Sequence, residues 1–301
     1  MANKKIICYD TDRKITTDIV RNFAQGINEY GGKWVAECRP LNDFRKNGLP
    51  NNADAICSLG ILRGTGLIFK SAASRGINRI YLDHSYFNSG YNGKGWLRAT
   101  VNGHTMNWLD TNVDSARWKT NFKNNNLVME WKNSLQRGKN ILILPPTDAV
   151  CWYFDCYKWL EDTVNEIKQI IPESQWPLIK IRYKPSEPFV DKLGNLIKVK
   201  KRTESIPLQQ DLDEARVVIV YNSNSGITAL SQGIPVISSE HSSCFPASLK
   251  LKDINNDHAL DQEPNRRQLF FWLSHCQFNE KERRSGSAWK QILEYQRSAF
   301  I

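Results

Sequence analysis

The 301-residue chain lacks any apolar run near the ~18 residues that a membrane-spanning helix needs. Its opening, MANKKIICYDTDRK, also lacks a signal-peptide hydrophobic segment, since its apolar core is only Ile6-Ile7-Cys8. These absences predict a protein made and used in the cytoplasm, with no integral membrane association. CxxC spacing is missing too. The cysteines at 8, 38, 57, 151, 156, 244 and 276 are odd in number and scattered, which speaks against a disulfide framework and predicts mostly reduced, buried thiols. His241, His258 and His275 add no tetrahedral ligand spacing to Cys151, Cys156, Cys244 and Cys276, so no metal is expected. The glycine-bearing stretch Ser58 to Gly66 has neither GxGxxG nor GxxxxGK[ST] spacing, which argues against a dinucleotide or ATP reading.

What is present is enough to fold. A hydrophobic fraction of 41% with 11% aromatics supports a packed core, and the length favours two domains. Lys and Arg number 41 against 31 Asp and Glu, so the net charge is 41 − 31 = +10. Before Gly138 there are 20 basic and 11 acidic residues, net +9; from it onward there are 21 and 20, net +1. The turn chemistry of Arg137-Gly138-Lys139-Asn140, directly before Ile141-Leu142-Ile143-Leu144, places a domain boundary at 138–140.

Strands are expected at 5–9, 34–38, 53–59 and 79–82. Ile15, Ile19, Phe23 and Ile27 recur as one helix face until Gly31-Gly32, and 64–76 reads as a second helix. The second half repeats the plan, with strands at 141–144, 178–183, 217–221 and 235–238 and helices at 155–171 and 227–232. Amphipathic segments near 265–276 and 280–296 form a helical tail. The fold class is therefore α/β: two Rossmann-like domains, 1–138 and 139–264, with a cleft between them and a tail at 265–301 packing across both.

The sharpest local signal is VVIVYNSNSGITALSQGIPVIS at 217–238. A buried strand leads into a small polar loop and a helix start, an arrangement that offers N–H groups and hydroxyls to a phosphate. Ser223, Ser225, Gly226 and Thr228 are the candidate ligands; the alternative is that Ser223 or Ser225 only caps the helix. A second basic element is Ile179 to Pro185, where Arg182 and Lys184 share one strand face.

The strand followed by S-x-S-G-I-T-A-L-S-Q-G-I-P-V-I resembles the nucleotide-sugar-binding half of GT-B glycosyltransferases, in particular the capsule-polysaccharide type and phage DNA-base relatives. That resemblance implies a Ser/Thr-Gly turn holding the donor diphosphate. It also implies a basic-Pro-His element at Lys184-Pro185-Ser186, where this chain has no histidine, so Arg182 and Lys184 would supply charge alone. The donor would be a nucleoside-diphosphate sugar, UDP-sugar first, with no other cofactor. No Asp-x-Asp pair is read as standing between two strands, so a metal-independent site is expected, in which cations stabilise the departing diphosphate.

Such a transferase needs a base for its acceptor hydroxyl. Asp83 and His84, at the end of the strand 79–82, are the candidates, with Asp83 preferred as base and His84 as orienting group; the alternative is a capping Asp and a hydrogen-bonded His. Arg63, Tyr86, Trp96 and Arg98 are the acceptor-binding candidates. Tyr86, Phe87, Tyr91, Trp96, Trp108, Trp118 and Trp131 are interleaved with Lys94, Arg98, Arg117, Lys119, Lys123 and Lys132, a pattern that suits stacking on bases beside phosphates; the alternative is that the tryptophans stack on sugars or belong to the core. The implied acceptor is a 5-hydroxymethylpyrimidine base in phage DNA, such as hydroxymethylcytosine, reached by base flipping in the host cytoplasm. The alternatives are a capsule or lipopolysaccharide glycosyltransferase at the inner membrane face and a non-catalytic DNA-binding protein on the same fold. The basic tract Lys198 to Arg202 reads as a solvated hairpin.

Overall fold

The apolar run at the start of the chain is buried because it forms the middle of a sheet. In the computed structural model, which describes residues 3–11, 13–90, 95–106, 113–122, 128–201 and 206–300, β1 (Lys4–Asp10) lies between β2 (Trp34–Pro40) and β3 (Ala55–Leu59) and runs parallel to both. Parallel pairing continues from β3 to β4 (Asn78–His84). Then the direction changes. Among the described residues of the connection 85–96 none is helical, and β5 (Leu97–Val101) pairs antiparallel with β4.

The helices of this unit take both faces. On α1 (Lys14–Tyr30), Ile19, Phe23 and Ile27 pack against Ile6, Cys8 and Cys57, and the helix stops at Gly31, whose φ of 71° suits glycine. On the opposite face, Phe44 of α2 (Leu41–Asn47) meets Tyr9 at 6.0 Å, and Phe69 of α3 (Thr65–Ser74) meets Tyr81 at 4.1 Å. This unit gathers residues 1–113, 190–196 and 272–301.

The second unit, 114–189 and 197–271, has its own parallel sheet. Short α4 (Ala116–Asn121) contributes Trp118, stacked on Phe270 at 5.7 Å. Strand β6 (Asn140–Leu144) is followed by α5 (Asp148–Phe154), α6 (Trp159–Ile170), β7 (Ile179–Ile181) and a two-stranded hairpin of β8 (Ser186–Val190) and β9 (Leu196–Lys201). After α7 (Leu208–Asp213) come β10 (Ala215–Val220), α8 (Ser225–Ser231), β11 (Val236–Ser238) and α9 (Asp257–Asp261). The sheet order is β11-β10-β6-β7, and Ile141, Ile143, Val217 and Ile219 bury against Ile167 and Ile171.

The tail is shared. Helix α10 (Arg266–His275) begins in the second unit, and from Trp272 onward the chain belongs to the first. There β12 (Gln277–Phe278) pairs antiparallel with β5, giving the order β12-β5-β4-β3-β1-β2. Helices α11 (Glu280–Arg284) and α12 (Ser287–Tyr295) close over α1, with Trp289 edge-on to Phe23 at 6.2 Å and to Trp34 at 5.8 Å.

Two expectations change. The division falls at 113/114 rather than at 138–140, because residues 128–137 are stitched into the second unit. Met129 N–H donates to Ser231 O at 2.7 Å and Lys132 N–H to Gly233 O at 2.9 Å; the fully buried Arg137 guanidinium pairs with Asp261 at 2.6 Å. The expected helix at 155–171 begins later, as α6 at Trp159, and is preceded by an unexpected helix, α5, which ends at Asp155 with φ 54°. Counted by these units, the first holds 21 basic and 13 acidic residues, net +8, and the second 20 and 18, net +2.

Gly26 of α1 shows how tightly the tail is seated: a Cβ there would lie 1.8 Å from the carbonyl oxygen of Arg283. Alanine favours a helix over glycine by about 1 kcal/mol, yet Gly26→Ala is expected to lower stability by about 1–3 kcal/mol through overpacking. Thermal unfolding checks this, and a raised Tm would show that α11 does not press on α1.

Candidate functional site

Within the second unit, the strand order reverses at β6, with β7 on one side and β10 on the other. Loops that leave the carboxyl ends of such strands part from each other, and ligands of open α/β sheets bind there. A cavity of about 390 Å³ lies at this edge, lined by Leu144 and Pro145 after β6, Arg182 to Pro185 after β7, Ser223 and Ser225 after β10, and Ile206 to Leu208. Its size suits a small-molecule ligand.

The local sequence explains how these side chains arrive. Arg182 N–H still donates to Ile143 O at 2.9 Å, so the sheet holds the chain up to that residue and releases it toward Lys184. After β10, Ser223 organises the turn: its Oγ accepts from Ser225 N–H at 3.3 Å and its carbonyl from Gly226 N–H at 3.0 Å. Gly226 is glycine for packing. A Cβ there would sit 2.6 Å from Cys244 Sγ and 3.1 Å from Val220 Cγ2.

Four of the six expected donor-site residues therefore meet at one cavity: Arg182, Lys184, Ser223 and Ser225. Their roles differ. The Arg182 guanidinium is ion-paired with Asp211 and donates to Ile206 O at 2.7 Å, so it braces the cavity wall and its charge is already balanced. Lys184 is exposed at the cavity. Gly226 is buried, with its N–H on Ser223 O, and Thr228 is exposed one turn into α8; neither is among the residues that line this cavity. Tyr183, Ile206, Pro207 and Leu208 complete an apolar wall that the sequence reading did not name. The signal for it was the Ile206-Pro207-Leu208 step shortly after the basic tract Lys198 to Arg202, which is too short a pattern to stand out.

In the first unit, Asp83 and Arg98 face each other in register on β4 and β5. Asp83 Oδ2 lies 3.1 Å from Arg98 Nη2 and 3.3 Å from His104 Nε2, while its Oδ1 accepts from His84 N–H at 2.8 Å. Burial alone would raise the Asp83 pKa, but Arg98 and His104 outweigh it and hold the carboxyl well below the usual carboxylate range. A carboxylate so engaged is a poor general base. The expected base is thus a structural ion pair, and Arg98, 4% exposed and stacked over the Tyr86 ring at 5.7 Å, is spent with it.

Tyr86 is also core. Its hydroxyl donates to Thr105 O, and its N–H donates to Gln277 Oε1 at 3.0 Å. Phe87 and Trp118 are buried as well, and Trp131 is occupied by Leu260 O and by Arg266 at 5.2 Å from its ring. Trp96 stays half-buried, its N–H donating to Asn88 O at 3.1 Å. Tyr91, Lys94, Trp108 and Lys123 lie outside the described residues. The aromatic stretch therefore does not form the expected stacking platform from Tyr86, Phe87, Trp118 and Trp131. His84 is exposed on the strand's other side, with Nδ1 2.9 Å from Ser89 Oγ. Arg63 stands after β3 at φ 65°, half-buried.

Two Asp-x-Asp steps do occur, at Asp10-Thr11-Asp12 and Asp211-Leu212-Asp213. Asp10 is engaged by Arg21 at 3.0 Å and Asp211 by Arg182, while Asp12 lies outside the described residues. Among the described residues, no group of three or more His, Cys, Asp or Glu is placed to hold a metal ion, and no helix is long and apolar enough to cross a membrane.

No protein-family model matches the chain, and no curated protein matches it. Among solved structures it is similar to Thermosulfurimonas dismutans KpsC, beta Kdo 2,7 transferase, at 13% identity over 96% of this chain and 100% of that one, with a TM-score of 0.42. It is also similar to KpsC, beta Kdo 2,4 transferase, of the same organism, at 12% identity over 91% and 90%, with a TM-score of 0.43. Likeness at this level assigns no family. The site rests on its own residues.

Asp83→Asn is expected to cost about 3 kcal/mol of stability at pH 7, because it strands a buried Arg98. A depressed carboxyl pKa contributes stability above the unfolded value near 4 and loses it as pH falls toward the folded value, so the deficit should begin to shrink below about pH 4. Denaturant unfolding at pH 7 and pH 3 measures this. An unchanged deficit would mean that Asp83 is not ionised in the pair.

Proposed function

We propose that the protein is a metal-independent glycosyltransferase that moves a sugar from a nucleoside-diphosphate sugar to a hydroxyl acceptor. The observation that carries this reading is the cavity at the carboxyl edge of the second unit's parallel sheet. Lys184 and the Ser223/Ser225 turn lie about 40 residues apart in sequence and line the same space. A cation and two hydroxyls suit a diphosphate, and the apolar wall of Tyr183, Ile206, Pro207 and Leu208 suits a nucleoside.

Charge builds on the bridging oxygen of the departing diphosphate as the glycosidic bond breaks. Fixed donors aimed at that charge lower the barrier more than they stabilise the ground state. Lys184 and the two serines supply such donors. The acceptor hydroxyl must lose a proton as it attacks the anomeric carbon, and His84, exposed and held by Ser89, takes the role of base in place of Asp83.

For the acceptor, the +8 of the first unit favours an anionic molecule. Duplex DNA carrying a 5-hydroxymethylpyrimidine is the member of that class to test first. Burial of Tyr86, Phe87 and Trp118 leaves fewer aromatic faces for DNA bases than the sequence suggests.

Calorimetric titration with UDP tests the donor site. Lys184→Ala is expected to weaken binding by about tenfold, the loss of roughly 1.4 kcal/mol, and Ser225→Ala by less. Unchanged affinity in both would overturn the donor assignment. Intact-mass analysis of hydroxymethylated duplex incubated with a panel of sugar nucleotides tests the acceptor: the expected product is heavier by one sugar, and His84→Ala should abolish it while leaving UDP binding intact. Extension of a lipid-linked sugar with unmodified DNA would move the acceptor to the polysaccharide class.

A further inference from the structure

The first unit has its own point of reversal. At β1 the strand order turns, with β2 on one side and β3 on the other, while α1 packs on one face and α3 on the opposite one. The connections that follow β1 and β3 therefore diverge at the carboxyl edge, the place where such sheets receive ligands. Each of these two connections carries an arginine.

Arg13 is the residue before α1, in extended conformation and exposed. Arg63 sits between Gly60 at φ 64° and Gly64 at φ 89°, and is itself left-handed at φ 65°. A side-chain-bearing residue is disfavoured in that region, and glycine or asparagine would hold the turn more easily. Arginine stands there against the local preference. The loop around it is fixed by its own bonds: Gly60 N–H donates to Leu82 O at 2.7 Å, Gly64 N–H to Gly194 O at 3.1 Å, and Thr65 Oγ to Gly60 O at 2.8 Å and Leu62 O at 2.6 Å. The N–H groups of Gly60 and Gly64 are thus used within the fold, and the loop presents the Arg63 cation.

The side chains of Arg13 and Arg63 make no ion pair or hydrogen bond with any described residue. The carboxylate that ends β1, Asp10, is held by Arg21. Arg63 is partly buried and lies in the field of Arg13, and both effects lower its pKa. Every arginine so far described as buried, by contrast, has a carboxylate or carbonyl on its guanidinium.

We propose that Arg13 and Arg63 form an oxyanion-binding pair that takes a phosphate group of the molecule held by the first unit. Two guanidinium forks match the oxygens of a phosphate, which balances both charges at once. That the phosphate belongs to the sugar acceptor rests on the transferase reading; the binding of the anion does not.

The test is residue-resolved. In the full-length protein, the arginine Nε–Hε resonances of Arg13 and Arg63 are followed by NMR during titration with inorganic phosphate, with the phosphodiester dinucleotide TpT, and with chloride at matched ionic strength. Saturable shifts of both residues with phosphate or TpT, absent with chloride, are expected. A response to TpT marks a nucleic-acid type of acceptor, and a response to inorganic phosphate alone marks a phosphomonoester. Arg63→Gly relieves the left-handed backbone while removing the cation, and should weaken the Arg13 response at least tenfold; Arg63→Lys should restore part of it. The pair is ruled out if Arg63 moves no more with phosphate than with chloride, or if Arg63→Gly leaves the Arg13 response intact. UDP binding is scored separately, so loss of the donor site and loss of this pair are told apart.

Discussion

A parallel sheet cannot be closed by hairpins: each strand must be followed by a crossing that brings the chain back to the same end. The parallel strands of both main sheets obey that constraint, and both sheets reverse their strand order at their first strand, β1 in one and β6 in the other. The interior of the central strands is committed to packing, as in Ile141 to Ile143, at most 1% exposed, or Ile6 to Tyr9, at 0%. Polar chemistry is thereby pushed to the carboxyl ends, where diverging connections leave space. Lys184, Ser223 and Ser225 are found there in the second unit, and Arg13 and Arg63 in the first.

The same logic sorts the cations. A guanidinium taken out of water needs a carboxylate or several carbonyls, since an uncompensated buried charge costs several kcal/mol. Arg98 has Asp83, Arg182 has Asp211 and Arg137 has Asp261. Arg266 reaches Leu230 O at 2.5 Å and Met129 O at 2.6 Å, and Arg283 reaches Phe278 O at 2.6 Å. These arginines are braces. Formal charge therefore overstates what a ligand can meet, and the cations that count are those on the rim.

This division explains what could be read from the sequence. Local periodicity carried α1, whose Ile19, Phe23 and Ile27 all bury, and the apolar runs carried β1, β3, β6 and β10. The Ser223/Ser225 loop was legible because strand, polar turn and helix follow one another without a gap. Asp83 was misread because its fate depends on Arg98 and His104, 15 and 21 residues further on, across an antiparallel pairing that no local pattern announces. The boundary at 138 failed for a similar reason. Its turn residues are genuine, but Arg137 beside them is buried against Leu260 and Asp261, more than 120 residues away in sequence. Tertiary partners, rather than propensity, settled both cases.

The burial of Tyr86 and Phe87 also constrains what kind of recognition the +8 unit can perform. Capture of single strands relies on aromatic faces left open to stack on bases, and these two faces are closed. A nucleic acid engaged by this unit would then be held chiefly through its phosphates, a mode that is indifferent to sequence and falls steeply with salt. Selectivity for a modified base would have to arise afterwards, from the fit of its hydroxyl to the base and the donor sugar and not from the initial encounter. A small phosphorylated acceptor meets the same physical requirement with fewer contacts, because one oxyanion between two guanidinium groups balances the charges of Arg13 and Arg63, which pair with no described residue.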